Sequence, residues 1–451
     1  MSKEKVFSNV DKHRALILEA ERYIWAHPET GYREWQTHKY LADAFRALGY
    51  TLVEAGNIPG FYADIDTGRE GPTVMILGEM DSLIVFDHPE CIPETGYVHA
   101  CGHNAQSAAL LGIAAALSEE GALDGLCGKI RLCAVPAEEG IEVEYRKELK
   151  KQGVIRSITG KGEIIRRGWL EGVDIAFMVH TTSNPKDDYI SINRGYNGCI
   201  VKNVTYKGVS SHAGGSPWAG VNALYAANLG LSAINSLRET FRDTDQIRVH
   251  PIITAGGTVV NAIPETVKLE SYVRGANIEA IARENKKVNR AIAASAAAMG
   301  ARVTIDDELA YSPLNNDPGM MEAARTAAAL TIGEENVRMS QNREGGCTDM
   351  GDISLIVPAV HPHISGAVGG AHSNKYYINN PEAACVKCAK FQILLVEQLL
   401  QNDAELGKKI ISEFTPTFAS TKEYIDFVDS LSVEREAVQY GEDGSITISY
   451  C

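Results

Sequence analysis

TVMILGEMD, residues 73–81, is a short apolar run that stops on an acid. It follows Gly71-Pro72, and its apolar residues do not alternate with polar ones, which is the pattern of a strand buried on both faces. Two further runs share the form: KIRLCAVPAEE at 129–139 and VDIAFMVH at 173–180. Between the first two, residues 105–120 read as a helix closed by Gly121. Strands alternating with helices predict an α/β fold, a mostly parallel sheet covered by helices. The three runs end on Asp81, on Glu138 with Glu139, and on His180. Open α/β sheets bind ligands at the carboxyl ends of their strands, so these residues are candidates for a functional site.

Outward from that core, residues 10–26 and 33–48 read as helices. The middle of the chain differs. Residues 197–208 read as a strand, 219–241 as a helix, 247–257 and 265–275 as strands, 278–300 as a long helix and 301–311 as a strand. That order, βαββαβ, is the ferredoxin-like split motif, here inserted into the first domain. The expected organisation is a catalytic domain over 1–194, an inserted lid or dimerisation domain over 195–311, and a second catalytic part over 312–451. In that second part, 352–360 reads as a strand, 381–400 as a helix, and 403–451 as an extension with short helical pieces.

The chain has 451 residues, 45% hydrophobic and 22% charged, which fits a folded protein of more than one domain and excludes a disordered or collagenous one. Its 43 basic and 58 acidic residues give a net charge of −15, which argues against nucleic acid or anionic lipid as a partner. There is no run of eighteen apolar residues and no secretory signal, so no membrane span or export is expected. Nine cysteines without a framework spacing suit free thiols in a reducing cytoplasm.

HACGH at 99–103 sets a thiol, Cys101, two residues from an imidazole, His103. The pair converges only if the backbone is irregular, which Gly102 permits, and Asn104 is placed to cap the following helix. Thiolate with imidazole suits a borderline-soft divalent cation such as zinc; the plainer reading is a small buried hydrophobe beside a core histidine. PAEEG at 136–140 carries adjacent carboxylates, which point to opposite faces of an extended chain. One can face a metal while the other serves as a general base; alone, the pair reads as a solvated acidic turn. His180 ends its strand, and His372 sits in GAVGGAHSN, with His361 and His363 as competing ligands. The joint occurrence of soft and hard ligands at strand ends and loop tips favours a metal site. Cys385 and Cys388 form a lone CxxC that reads as a buried helix face. No phosphate-binding loop, GxGxxG turn or GxSxG elbow supports nucleotide or serine chemistry.

Taken in order, GEMDSL (78–83), HACGHN (99–104), PAEEG, the VH at 179–180, SSHAGGSP (210–217), VVNAIPE (259–265), YVRGAN (272–277), TDMGD (348–352) and GGAH (369–372) resemble the aminoacylase/carboxypeptidase-G-type metallopeptidases, in their amidohydrolase branch. Auxin-conjugate hydrolases, N-acyl-amino-acid amidohydrolases and p-aminobenzoyl-glutamate hydrolases belong there, and the last look most similar. The resemblance implies two divalent metal ions, zinc or manganese, held by Cys101, His103, Glu139, His180 and His372. It implies Glu138 as general base, Asp81 orienting a ligand imidazole, His212 polarising the scissile carbonyl, and Asn261 and Arg274 holding a substrate carboxylate. The implied activity is hydrolysis of an N-acyl or N-aroyl amino acid by a homodimer, or by a hetero-oligomer with a paralogous partner chain. The alternatives are a dipeptidase and a non-catalytic metal-binding member of such an oligomer. The chain departs from the pattern in a charged stretch at 145–169 and in its C-terminal extension.

Overall fold

The computed structural model describes residues 3–183 and 188–450. They form two compact units: residues 3–195, 314–344 and 349–421 belong to the first, and 196–313, 345–348 and 422–450 to the second.

The first unit is built on a six-stranded sheet. Its order is Val53–Glu54, Phe61–Asp66, Lys129–Val135, Thr73–Glu79, Ile175–Phe177, Ala359–Val360. The last four run parallel and the first two join antiparallel, as the apolar runs predict. Every residue of Thr73–Glu79 is buried, because the helix His103–Leu117 covers it. That helix is itself buried on all sides, which is why its sequence carries so little amphipathic pattern. Fully burying each of its Leu and Ile side chains stabilises the unit by about 1.5–3 kcal/mol.

Some local readings need correction. Residues 10–26 divide into two helices, Lys3–Lys12 and Arg14–Ala26, because His13 leaves helical geometry. Residues 352–360 are not one strand: Met350–Ser354 is a helix and only Ala359–Val360 is extended. A short apolar run does not distinguish the two states, and Pro358 then confines the strand. The cap of helix His103–Leu117 is Gly102, not Asn104, whose side-chain amide instead donates to Glu21.

The second unit is ferredoxin-like. Its antiparallel sheet runs Arg248–Val249, Thr266–Gly275, Gly198–Lys207, Arg302–Tyr311, Val433–Glu436, with Ile252–Ala255 also on Thr266–Gly275. Inward side chains of the long strands alternate with outward ones, and helices Ala223–Leu237 and Ile278–Ala298 cover the inward face. Each helix is capped by an asparagine side chain, Asn222 and Asn277. The C-terminal residues hold helices Glu405–Glu413 and Thr421–Leu431, and then strands that the helical reading lacked. Val433–Glu436 lies along Arg302–Tyr311, and Ala437 and Val438 enter the core of this unit. The edge position of that strand puts charged residues outward in VERE, which hides its extended character.

The described cysteines are free, and Cys385 and Cys388 are buried in the helical segment 382–400 as expected. No described helix is long and apolar enough to cross a membrane.

Candidate metal centre

Four parallel strands of the first unit lie side by side in the order Lys129–Val135, Thr73–Glu79, Ile175–Phe177, Ala359–Val360. Their carboxyl ends deliver Glu138 and Glu139, Glu79 and Asp81, His180, and His361 to one place. Cys101 and His103 join them from the turn before helix His103–Leu117. Gly102 has φ +95°, and a Cβ there would sit 2.1 Å from Thr181 Oγ1 and 2.4 Å from Tyr376 Oη. The turn that brings Cys101 and His103 together therefore requires glycine.

Three groups of side chains place ligand atoms within 4.8 Å of one another: Cys101, His103 and His180; Cys101, Glu139 and His372; and Glu79, His103 and Glu138. The first two share the Cys101 sulfur, which lies 3.3 Å from His180 Nε2. His180 Nδ1 is 2.6 Å from the Thr181 carbonyl, an acceptor, so Nδ1 carries the proton and Nε2 presents a lone pair. His103 is set the same way. Its Nδ1 faces the Asp81 carbonyl at 2.9 Å and Asp81 Oδ1 at 3.0 Å. Asp81 Oδ2 accepts from the Glu139 amide at 2.8 Å, so one fully buried carboxylate aims both His103 and Glu139. His372 Nε2 lies 3.3 Å from Glu139 Oε1. The His372 amide donates to the Ala100 carbonyl at 2.8 Å, and its φ of +63° is held by that contact.

The charges are compressed. Burial pushes the Glu138 carboxyl well above its ordinary range, and Glu79 and Glu139 add to the effect. Burial opposes ionisation of Asp81 as well, but its bond to His103, the His103 charge, the Glu139 amide and Arg146 together hold it below the usual value. Glu79 is likewise opposed by burial and held low by the Lys161 ammonium. Burial pushes the Cys101 thiol well up, with Glu139 adding, and lowers His180. Burial opposes charge on His103, yet Glu79, Cys101 and Asp81 together drive the imidazole well above its ordinary value. The Glu139 carboxylate raises His372.

The side chains present fit divalent cations. His103 Nε2 and Glu139 Oε1 are buried and make no well-formed hydrogen bond. They stand with a thiol and two further imidazoles, a donor set of N, S and O suited to zinc or manganese. Buried carboxylates in this number are costly without compensating positive charge.

His361 and His363 lie beside His180. Their rings lie 6.0 Å and 5.6 Å from that of His180, and neither belongs to the groups of ligand atoms found among the described residues. Three residues were not singled out from the sequence: Glu79, Lys161 and Asp349. Lys161 lies within the charged stretch 145–169, where solvated faces are the ordinary expectation, yet its side chain is fully buried, as is that of Arg146. The flanking glycines of Gly160-Lys161-Gly162 were the readable signal. A Cβ on Gly160 would sit 1.6 Å from the Pro136 carbonyl oxygen.

His212, Asn261 and Arg274 belong to the second unit. His212 is exposed, its Nδ1 accepts from the Gly215 amide at 2.8 Å, and its neighbour Ala213 donates to the Asn261 carbonyl at 2.9 Å. Arg274 stands on strand Thr266–Gly275, with its guanidinium 5.0 Å from the Tyr272 ring centroid and donating to the Gly345 carbonyl at 3.4 Å.

Comparison with known families matches residues 60–398 to peptidase family M20/M25/M40. The Xaa-Arg dipeptidase of Mus musculus is 28% identical over 418 residues, 88% of this chain and 87% of that protein. The indole-3-acetyl-aspartic acid hydrolase of Enterobacter agglomerans is 26% identical over 321 residues, 68% of this chain and 68% of that protein. The crystal structure of the Bacillus subtilis YXEP protein, described as a dinuclear metal binding peptidase from the M20 family, superposes with a TM-score of 0.65. It covers 86% of this chain and 98% of its own at 20% identity, a likeness of fold.

Proposed function

The chain belongs to peptidase family M20/M25/M40, and from that premise we propose that it is a metal-dependent amidohydrolase cleaving the amide bond of an N-acyl or N-aroyl amino acid. The observation that carries the reading is the pair of donor groups sharing the Cys101 sulfur, with Glu138 beside them. His103 and His180 would hold one cation, Glu139 and His372 the other, and the Cys101 thiolate both. Bound there, two divalent ions, zinc or manganese, polarise an amide carbonyl and acidify water.

The chain's own groups do the rest. Asp81 keeps the proton of His103 on Nδ1 and fixes the Glu139 amide, so both donors meet a cation already aimed. Glu138 takes the proton of the attacking water and returns it to the leaving amine nitrogen. Its burial among carboxylates raises its basicity, as general-base catalysis near neutral pH requires. His212 polarises the scissile carbonyl. Arg274 and Asn261 hold the substrate carboxylate, for which a planar guanidinium is well shaped. The second unit serves as lid and as the contact of a homodimer, or of a hetero-oligomer with a paralogous partner chain. Trp218, Tyr225 and Val260, all exposed on that unit, support such a contact. The free thiols support a cytoplasmic setting.

The test is Glu138→Ala. It retains both cations by metal analysis and loses hydrolysis by about 10²–10⁴-fold; turnover near wild type removes Glu138 from its role. A dipeptidase is the second reading, favoured by the extent of the match to the Xaa-Arg dipeptidase. Offering one amino acid with an aminoacyl group and with a benzoyl group separates the two, because a dipeptidase requires the free amine.

A further inference from the structure

Lys161 takes no part in the chemistry just described, yet the first unit is arranged around it. Its side chain is fully buried at the start of helix Gly160–Arg166. Its Nζ donates to Glu79 Oε1 and, at 2.5 Å, to Asp349 Oδ1, while its amide donates to Asp349 Oδ2 at 2.8 Å. The helix start is docked on the loop that carries Glu138: the Gly160 amide donates to the Ala137 carbonyl at 2.9 Å. The other oxygen of Glu79 is also engaged, accepting from Gln106 Nε2 at 2.9 Å. Burying an ammonium between two carboxylates is expensive, and a pair of apolar residues fills such space at lower cost.

What the arrangement does is visible in the third group of ligand atoms. Glu79 Oε2 lies 3.2 Å from His103 Nε2, and His103 Nε2 lies 4.0 Å from Glu138 Oε2. Neighbouring donors on one cation stand about this far apart when each bond is about 2.0–2.2 Å. Glu79, His103 and Glu138 thus form a cation site of their own, one that competes for a ligand of the proposed pair and for the proposed base. Resting on the two-cation reading above, we propose that Lys161 is a positioning residue: a resident cation that engages Glu79 and so keeps a divalent ion from settling on Glu79, His103 and Glu138 in place of the pair. Asp349, gripped by the Lys161 amide and ammonium together, fixes the lysine in that task.

The test is where the ions sit. Purified wild type, Lys161→Met and Lys161→Gln chains are stripped, loaded with zinc or manganese up to millimolar, crystallised and measured at the metal's absorption edge, and kcat/KM is followed over the same range. His103 Nε2 has one lone pair, so an ion on Glu79, His103 and Glu138 takes His103 from the pair. Wild type is expected to show no ion bonded to Glu79; each variant is expected to show one, with kcat/KM in millimolar metal at least about tenfold below that of wild type. Lys161→Met/Glu79→Gln removes the competing site, so the ion leaves it and the excess metal no longer inhibits; a merely structural lysine gives no such rescue. Lys161→Gln keeps hydrogen bonds without the charge and carries the test if Lys161→Met does not fold. No ion on Glu79 in the single variants, with no added inhibition by metal, overturns the proposal. Fewer than two ions in wild type instead overturns the two-cation reading on which it rests.

Discussion

Asp81→Asn is a nearly isosteric change with a calculable consequence. The native carboxylate is an acceptor on both oxygens, one for His103 Nδ1–H at 3.0 Å and one for the Glu139 amide at 2.8 Å. Asparagine keeps one acceptor and turns a donor toward the other N–H. One buried donor is then unsatisfied, at a cost of about 1–3 kcal/mol, and a charge-assisted bond worth about 1.5–3 kcal/mol becomes neutral. Because both groups are proposed ligands, most of this loss reaches the cation site. Partners of metal ligands typically carry about 10–100-fold in metal affinity, which is about 1.4–2.8 kcal/mol and agrees with the bond count. The assay is competition for zinc or manganese against a chromophoric chelator, with far-ultraviolet circular dichroism to confirm folding. A folded Asp81→Asn chain whose Kd lies within about twofold of wild type refutes the argument that Asp81 aims the two donors.

Gly102→Ala places a Cβ 2.1 Å from Thr181 Oγ1 at a φ of +95°. The left-handed backbone alone costs about 1–2 kcal/mol, so the variant melts lower and holds less metal; unchanged melting and metal content contradict the close approach. In the cation-free chain the raised groups of the site each contribute less stability at about pH 8 than at about pH 5. Burial raises Glu138, and raises Asp349 to about 7. An acid raised in the folded state holds a proton that the unfolded chain has released, so its stabilisation is full below the unfolded carboxyl range and is lost as pH rises through the folded value. His103, also raised, loses its contribution in the same direction, whereas burial lowers His99, His180, His361 and His363, which act in the opposite sense over this window. Glu79 and Asp81 are lowered, so their contributions fall only below their unfolded range and leave this window untouched. Saturating zinc therefore raises the melting temperature more at the higher pH, as its ligands must be deprotonated; an equal or smaller rise there contradicts the assignment.

Much of this architecture was legible, and the reasons are local. Thr73–Glu79 and Lys129–Val135 are buried on both faces, so their sequences are unbroken apolar runs ending where the sheet ends. Gly102 announced an irregular turn because no other residue fits against Thr181 and Tyr376. The extended edge at Val433–Glu436 was hidden because only one side of it meets protein, and its exposed side chains are acidic. Lys161 was hidden for the opposite reason. A lysine in a charged stretch is ordinarily solvated, and only the distant acids Glu79 and Asp349 make its burial tolerable. Pairing between residues 82 and 188 positions apart leaves no periodic trace in sequence.

The central claim is that one cysteine sulfur joins two cations. Crystals grown with manganese or zinc and measured at the metal's absorption edge test it directly. The account predicts two anomalous peaks about 3.5–4 Å apart, both bonded to Cys101 Sγ, one bounded by His103 and His180 and the other by Glu139 and His372. A single peak, or two peaks that do not share that sulfur, contradicts it.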